Sequence, residues 1–303
     1  MTTQATLSGL RSVLFVPADR PERFQKAGAC GADGVVLDLE DAVAPHAKAR
    51  AREAALSFLA GDAAQATSTL WVLRINHIKT LAGLEDLLAL HQAKHLPLAI
   101  MLPKVESVAE VEAAAAHLHR PGGGPAIVAL IESSRGLGVA DAIAGHPAVG
   151  ALAFGGADLA ADLGAEMAWE PLLFARSRIV QAAATHQVAA WDVPFLDLRD
   201  EAGLVREATA AKALGFRAKL AIHPAQAAGI NTVFSPTQRQ VERAFQVVEA
   251  LARAAGGVCV LDGKMIDQPV VLAAERTLRL ANRLTGAGRD ALASPVVAGA
   301  IAS

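Results

Sequence analysis

The sequence predicts an α/β protein: a parallel (β/α)8 barrel with a C-terminal helical extension. Three observations carry this prediction. Eight short apolar runs are bounded by Gly, Pro or a charged residue, helical segments separate them, and the chain has 303 residues, enough for one large α/β domain and a tail. Unbroken apolar runs of this length read as strands buried on both faces, and alternation with helices makes them parallel. A doubly wound open sheet is the rival, but no glycine-rich phosphate fingerprint follows the first strand.

The elements follow in order. Ser12 to Val16 is a strand closed by Pro17, and Asp19-Arg20-Pro21-Glu22 opens a helix that runs to Ala29. Gly34 to Asp41 is a second strand with an acidic end, and His46 to Leu59 an Ala-rich helix. Leu70 to Asn76 is a third strand, Gly83 to His91 a helix, Leu98 to Leu102 a fourth strand closed by Pro103-Lys104, and Val108 to Leu118 a helix. The fifth and sixth strands are Ile127 to Ser133 and Leu152 to Asp158, with room for one short helix between Arg135 and Gly150. Leu172 to His186 is a helix, Val188 to Val193 a seventh strand, Glu201 to Leu214 a helix, and Lys219 to Ile222 an eighth strand closed by His223-Pro224. Gln238 to Ala255 is an amphipathic helix, expected to be the last of the barrel. The barrel is therefore expected over residues 1–256. From Gly256-Gly257 the pattern breaks, and 257–303 form a C-terminal extension: a short extended piece, Val258 to Leu261, then Asp262 to Asp267 and a helix from Pro269 to Leu284. So small a tail should pack on the barrel or on a neighbouring subunit.

Composition narrows the class. Hydrophobic residues are 53% and charged residues 19%, which permits a sizeable core. No apolar run is long enough to span a bilayer, and the first residues lack a basic region followed by an apolar stretch, so neither membrane nor signal peptide is expected. Cys30 and Cys259 make no disulfide framework and suit a reducing cytoplasm. A net charge of −2 gives no footprint for nucleic acid.

In such a barrel the strand C-termini form the active face. Glu132 and Asp158 end successive parallel strands there, and adjacent strands lie about 4.8 Å apart, so the two carboxylates can converge on one hard cation. Each could instead be a helix cap or surface charge. Gly155 and Gly156 allow backbone to approach a ligand, or simply make the turn. Asp38, Glu40, Asp41, Arg74, Asn76, Lys104, Asp192 and His223 complete the polar rim. Acids outnumber bases, and oxygen ligands favour Mg2+ over zinc. The planar fork of Arg74 suits a substrate carboxylate or enolate oxygen, or an ion pair with Glu40 or Asp41; these two acids could hold Arg74 or metal-bound water. Asp38 reads as a buried hydrogen-bonding residue beneath the site, and His223 and Lys104 as loop residues. Asp192 is open between rim hydrogen bonding and ligand contact.

Taken together, Val35-Val36-Leu37-Asp38-Leu39-Glu40-Asp41-Ala42-Val43, Arg74-Ile75-Asn76, Leu102-Pro103-Lys104-Val105-Glu106, Ile131-Glu132-Ser133, Phe154-Gly155-Gly156-Ala157-Asp158-Leu159 and Ala221-Ile222-His223-Pro224 resemble the citrate lyase beta-subunit-like proteins of the HpcH/HpaI aldolase family. The resemblance implies a TIM barrel that binds Mg2+ through Glu132 and Asp158 and contacts substrate oxygens through Arg74. It also implies activity on CoA thioesters of hydroxy acids and a homo-oligomer, trimer or hexamer. Substrate contacts are expected at Glu40, Asp41, Gly156 and Ala157. The segment Asp262-Gly263-Lys264-Met265-Ile266-Asp267-Gln268-Pro269 is similar to the C-terminal lid of malyl-CoA and citramalyl-CoA lyases, which implies that Asp267 exchanges the proton at the thioester α-carbon in a neighbouring subunit's site. Read from its surroundings alone, Asp267 is a cap on the Pro-started helix. The function implied is cleavage of citramalyl-CoA or malyl-CoA to a 2-oxo acid and acetyl-CoA. A citrate lyase beta subunit acting on an acyl-carrier thioester, a hydrolytic outcome and a non-catalytic acyl-CoA-binding barrel are the alternatives.

Overall fold

A computed structural model describes residues 6–121, 123–253 and 259–285 and divides the chain into two compact units, Met1–Phe234 and Ser235–Ser303. In the first, eight parallel strands close in sequential order, each paired with the next and β1 with β8. They are β1 Ser12–Pro17, β2 Gly34–Asp38, β3 Leu70–Arg74, β4 Ala99–Leu102, β5 Ala126–Ile131, β6 Val149–Phe154, β7 Ala189–Asp192 and β8 Ala218–Ala221.

The apolar runs are continuous because both faces of each strand are buried. On β2, Val36 points into the barrel interior with Val13, Val72, Met101, Leu130 and Trp191, while Val35 and Leu37 join the layer under the helices. Trp191 fills much of that interior, and Ala189 of its own strand with Ala151, Ala153 and Ala218 of the neighbouring strands surround it, so large and small side chains share the volume. Leu7 belongs to the same interior cluster; a Cβ on Gly150 would lie 2.6 Å from its Cδ1, so a larger residue there would force Leu7 to shift.

The helical layer differs from expectation at several points, a short added helix at Asp62–Gln65 among them. The β5–β6 connection holds two short helices, Ser134–Gly138 and Ala140–Ala144, in place of one. A helix, Gly156–Leu163, follows β6 directly. The eighth barrel helix is Gln226–Phe234, with Ala227, Ile230 and Phe234 in the layer between strands and helices.

Gln238–Arg253, expected to close the barrel, belongs instead to the second unit, which starts at Ser235 and not at 257. Its apolar stripe explains why: Ala244, Val247 and Val248 pack with Val271, Ala274 and Leu278 of helix Gln268–Thr285 and with Ile266 of the hairpin. That hairpin pairs β9 Cys259–Leu261 with β10 Lys264–Ile266 through Asp262 and Gly263, both at positive φ, 52° and 73°. Two such residues make the turn that matches strand twist. The Gly256-Gly257 break lies outside the described residues.

Candidate functional site

The exits of β2, β3, β4 and β5, with the helix after β6, bring the candidate residues together. Arg74, the last residue of β3, faces Asp38, the last of β2, in register. Its Nε and Nη2 each donate to one Asp38 oxygen at 2.6 Å, a bidentate pair, and Nη1 lies 3.1 Å from Glu40. Its guanidinium also lies 4.9 Å over the Phe15 ring. Burial opposes the Arg74 charge, but the hydrogen bonds and charge of Asp38, with Glu40 and Glu132, raise its pKa above the ordinary arginine value. Arg74 is thus an oriented, permanently charged fork. Of the expected ion-pair partners Glu40 is one, and Asp38, expected only as a buried hydrogen-bonding residue, is the principal one.

Asp38 also accepts the Glu40 and Ala42 amides, at 2.9 and 3.3 Å, so the chain after β2 wraps its carboxylate. That wrap puts Glu40, buried, beside Arg74 and leaves Asp41 exposed. Burial raises the Glu40 pKa against the pull of Arg74 and Lys104. Asp41, despite partial burial, is held below the ordinary range by its hydrogen-bonded link to Glu40 and by the Lys104 and Arg74 charges. Lys104 pairs with Glu40 and lies 3.3 Å from Asp41. Its backbone is left-handed, φ 52°, and its amide donates to Glu132 Oε1 at 2.6 Å. One residue therefore joins the Arg74 cluster to the fifth-strand carboxylate.

Glu132 is 3% exposed. Burial, the largest influence, pushes its carboxyl up to about 8 against the pull of Lys104, and the Asp158 and Glu40 charges add to the rise. A Cβ on Gly155 would lie 2.4 Å from Glu132 Cβ and 2.6 Å from Oε2, so glycine is required for this close approach. Asp158 is not at the end of β6. The strand stops at Phe154, and Asp158 stands exposed in the first turn of Gly156–Leu163, where its charge still acts on Glu132. Gly156 is buried at the start of that helix and Ala157 exposed.

Other rim residues sort clearly. Asp192 is fully buried with Lys219 at 2.6 Å and Arg176 at 3.0 Å, which settles it as a hydrogen-bonding residue of the rim. His223 is exposed, and its Nδ1 receives the Ala225 amide at 3.2 Å. Asn76 bonds Asp86 through its amide at 2.8 Å and through Nδ2 at 2.7 Å, beneath the site. Sequence reasoning missed Lys48. Its ammonium donates to the Leu39 and Glu40 carbonyls, each at 2.9 Å, and to Asn76 Oδ1, tying two strand exits together. A lysine at the start of the helix after an acidic loop was the available signal.

No cluster of three or more His, Cys, Asp or Glu side chains with metal-holding geometry occurs among the described residues. The donor set nonetheless fits Mg2+, which keeps several waters and needs only one or two carboxylates. Glu132 receives its hydrogen bond on one oxygen, and Asp158 sits nearby without an ion pair among the described residues. When all are ionised, the carboxylates of Asp38, Glu40, Asp41, Glu132 and Asp158 exceed the cations of Lys48, Arg74 and Lys104 by two charges, which a divalent ion offsets.

Asp267 lies in the second unit as the cap of Gln268–Thr285, its Oδ1 accepting the Val270 amide at 3.3 Å.

The model of the HpcH/HpaI aldolase/citrate lyase family matches residues 11–224, the span that holds the barrel strands and rim. The chain belongs to this family. By family it is an aldolase-type carbon–carbon lyase. The citrate lyase subunit beta of Leuconostoc mesenteroides subsp. cremoris is 35% identical over 90% of this chain and 93% of its own. The mitochondrial citramalyl-CoA lyase of Homo sapiens is 32% identical over 90% and 86%. Among solved structures, that of CitE from Mycobacterium tuberculosis in complex with magnesium, acetoacetate and coenzyme A superposes with a TM-score of 0.75 at 36% identity, over 90% of this chain and 98% of that one.

Proposed function

We propose that this HpcH/HpaI family member is a Mg2+-dependent lyase that cleaves a hydroxy-acyl-CoA thioester, of the citramalyl-CoA or malyl-CoA type, to a 2-oxo acid and acetyl-CoA. The observation that carries the reading is the buried Glu132 with Asp158 beside it and the Asp38-held fork of Arg74 in reach of its charge. Glu132 and Asp158 would hold the metal, and the magnesium in the related CitE structure supports the choice of ion. Mg2+ bound there supplies a Lewis acid that lowers the pKa of the substrate hydroxyl. Arg74 donates to the oxygen that turns from hydroxyl to carbonyl, and Asp38 keeps its fork from rotating away. Glu40 and Asp41 fix Lys104 at the mouth, and Gly156 and Ala157 let the substrate chain pass close to backbone. The hydroxyl proton leaves to water, the carbon–carbon bond breaks with its electron pair moving to the thioester α-carbon as an enolate, and Asp267 delivers a proton there as general acid.

For Asp267 to act, we place it in the site of a neighbouring subunit in a homo-oligomer, a trimer or a dimer of trimers, with the second unit as the lid. No helix among the described residues is long and apolar enough to cross a membrane, and we assign the protein to the cytoplasm. The relation to citrate lyase beta favours one second reading, a citryl thioester on an acyl-carrier protein.

Incubation of the purified chain with citramalyl-CoA, malyl-CoA and citryl-CoA, followed by assay of 2-oxo acid, acetyl-CoA and free CoA, tests these readings. Equal yields of 2-oxo acid and acetyl-CoA support the lyase, and free CoA with intact hydroxy acid indicates hydrolysis. No turnover of any thioester contradicts both.

A further inference from the structure

The segment that carries Asp158 leaves the barrel after Phe154, the last residue of β6, and returns to the helical layer at Trp169, the first residue of the helix Trp169–Thr185. Between them lie the helix Gly156–Leu163 and a turn begun by the left-handed Gly164. Leu159 in the core and Asp162, which accepts the Ser134 amide at 2.7 Å, hold the middle of that excursion, while the exposed Asp158 side chain has no hydrogen bond or ion pair among the described residues. Arg176 touches both of its ends. Its Cζ lies 5.2 Å from the Phe154 ring centroid and 4.5 Å from that of Trp169. The start of the helix is pressed on the same Phe154 ring, where a Cβ on Gly156 would meet ring carbons at 3.1 and 3.2 Å.

A guanidinium that is 2% exposed needs a reason to be there. Ion pairing supplies part of that reason: Nη2 lies 3.8 Å from Glu207, and Arg176 and Lys219 together balance Asp192 and Glu207. Lys219, itself fully buried, already donates to Asp192 at 2.6 Å, to Glu207 at 2.7 Å and to the Val193 carbonyl at 2.7 Å. Arg176 Nε adds a bond to Asp192 at 3.0 Å, yet its Nη1 is buried with no hydrogen-bond partner among the described residues. Part of this charge is met by aromatic faces and not by oxygen, an interaction that strengthens when desolvated.

We propose that Arg176 is a positioning residue: a cation–π clasp between Phe154 and Trp169 that closes the base of the Gly156–Leu163 excursion and so holds Asp158 against Glu132. Asp192 and Lys219 anchor the clasp to β7 and β8. The inference rests on the reading of Glu132 and Asp158 as a metal pair and extends it to a residue that touches neither metal nor substrate.

The test is a double-mutant cycle on the full chain, read by titration calorimetry with Mg2+ alone. Arg176→Met is expected to weaken Mg2+ binding about ten-fold, the size seen when groups behind metal ligands are removed. Arg176→Lys, which keeps the charge without the planar face, should fall between the two. In an Asp158→Ala background Arg176→Met should change the affinity no further, because its effect passes through Asp158. A purely structural arginine would give equal losses in both backgrounds, and that result, or an unchanged affinity in Arg176→Met, overturns the proposal. If Arg176→Met does not fold, Trp169→Leu enters the same cycle and leaves the Arg176–Asp192 pair intact. A loss of about three-fold that vanishes with Asp158→Ala supports the clasp, and no loss overturns it. Unchanged affinity in Asp158→Ala alone would instead overturn the metal reading, a separate outcome of the same titration.

Discussion

A carboxyl pushed up to about 8 by burial ties the stability of this barrel to pH and to metal. The metal-free folded state binds the Glu132 proton more tightly than the unfolded chain, whose carboxyl titrates near the ordinary 4.5. Its stabilising contribution is therefore complete below about 4.5 and lost as pH rises through about 8. Thermal unfolding of metal-free protein between pH 5 and 9 should show Tm falling over that window, and saturating Mg2+ should remove most of the fall. Binding must also release protons below pH 8, so calorimetric heats should depend on the ionisation enthalpy of the buffer. Buffer-independent heats at pH 7 would mean that Glu132 is already ionised or is no ligand. Gly155 gives a steric test of the same carboxylate: Gly155→Ala places a methyl 2.4 Å from Glu132 Cβ and should weaken Mg2+ binding at least about ten-fold, measured by titration, with the barrel still folded.

At the scale of elements, the helix Gln268–Thr285 separates a cap from a catalyst. Asp267 accepts the Val270 amide, so capping alone could account for it. Asn caps as well as Asp but carries no acid. Asp267→Asn should leave Tm unchanged and reduce turnover by about a hundred-fold or more, whereas Asp267→Ala should also lose about 1 kcal/mol of stability. Normal turnover in the Asn variant would reduce Asp267 to a cap. The same scale shows what the sequence reveals and where it falls short. The eight strands are readable because burial on both faces leaves no polar position inside them, as in Val35-Val36-Leu37. The helix Gly156–Leu163 is not, because a Gly-Gly start reads as a turn and its apolar residues continue the strand pattern. Asp158 is thus expected at a strand end and stands instead in the first turn of that helix. The Asp262-Gly263 hairpin carried the strongest local turn signal in the tail, between apolar residues on either side. Arg176 and Lys48 act through contacts between distant elements, which no local spacing encodes.

For the whole molecule, the proposal that the second unit serves as a lid predicts which barrel it completes. Each unit has a core of its own, with Ile266, Val271 and Leu278 serving the second. Completion in trans predicts complementation: mixed oligomers of Asp267→Ala and Asp158→Ala chains should regain part of the activity that each lacks alone. Some sites would then pair an intact metal pair with an intact lid. Light scattering and turnover on the same sample check it, and a fully active monomer, or no regained turnover, argues for a lid acting on its own barrel.

The central claim is that Glu132 and Asp158 hold the ion on which cleavage depends. Its most direct test is turnover of the preferred thioester by Glu132→Gln and Asp158→Asn under saturating Mg2+, with folding verified by circular dichroism. The account predicts a loss of at least about a thousand-fold in each, and the same loss when the parent protein is stripped with a chelator. Near-normal turnover in either variant would contradict it.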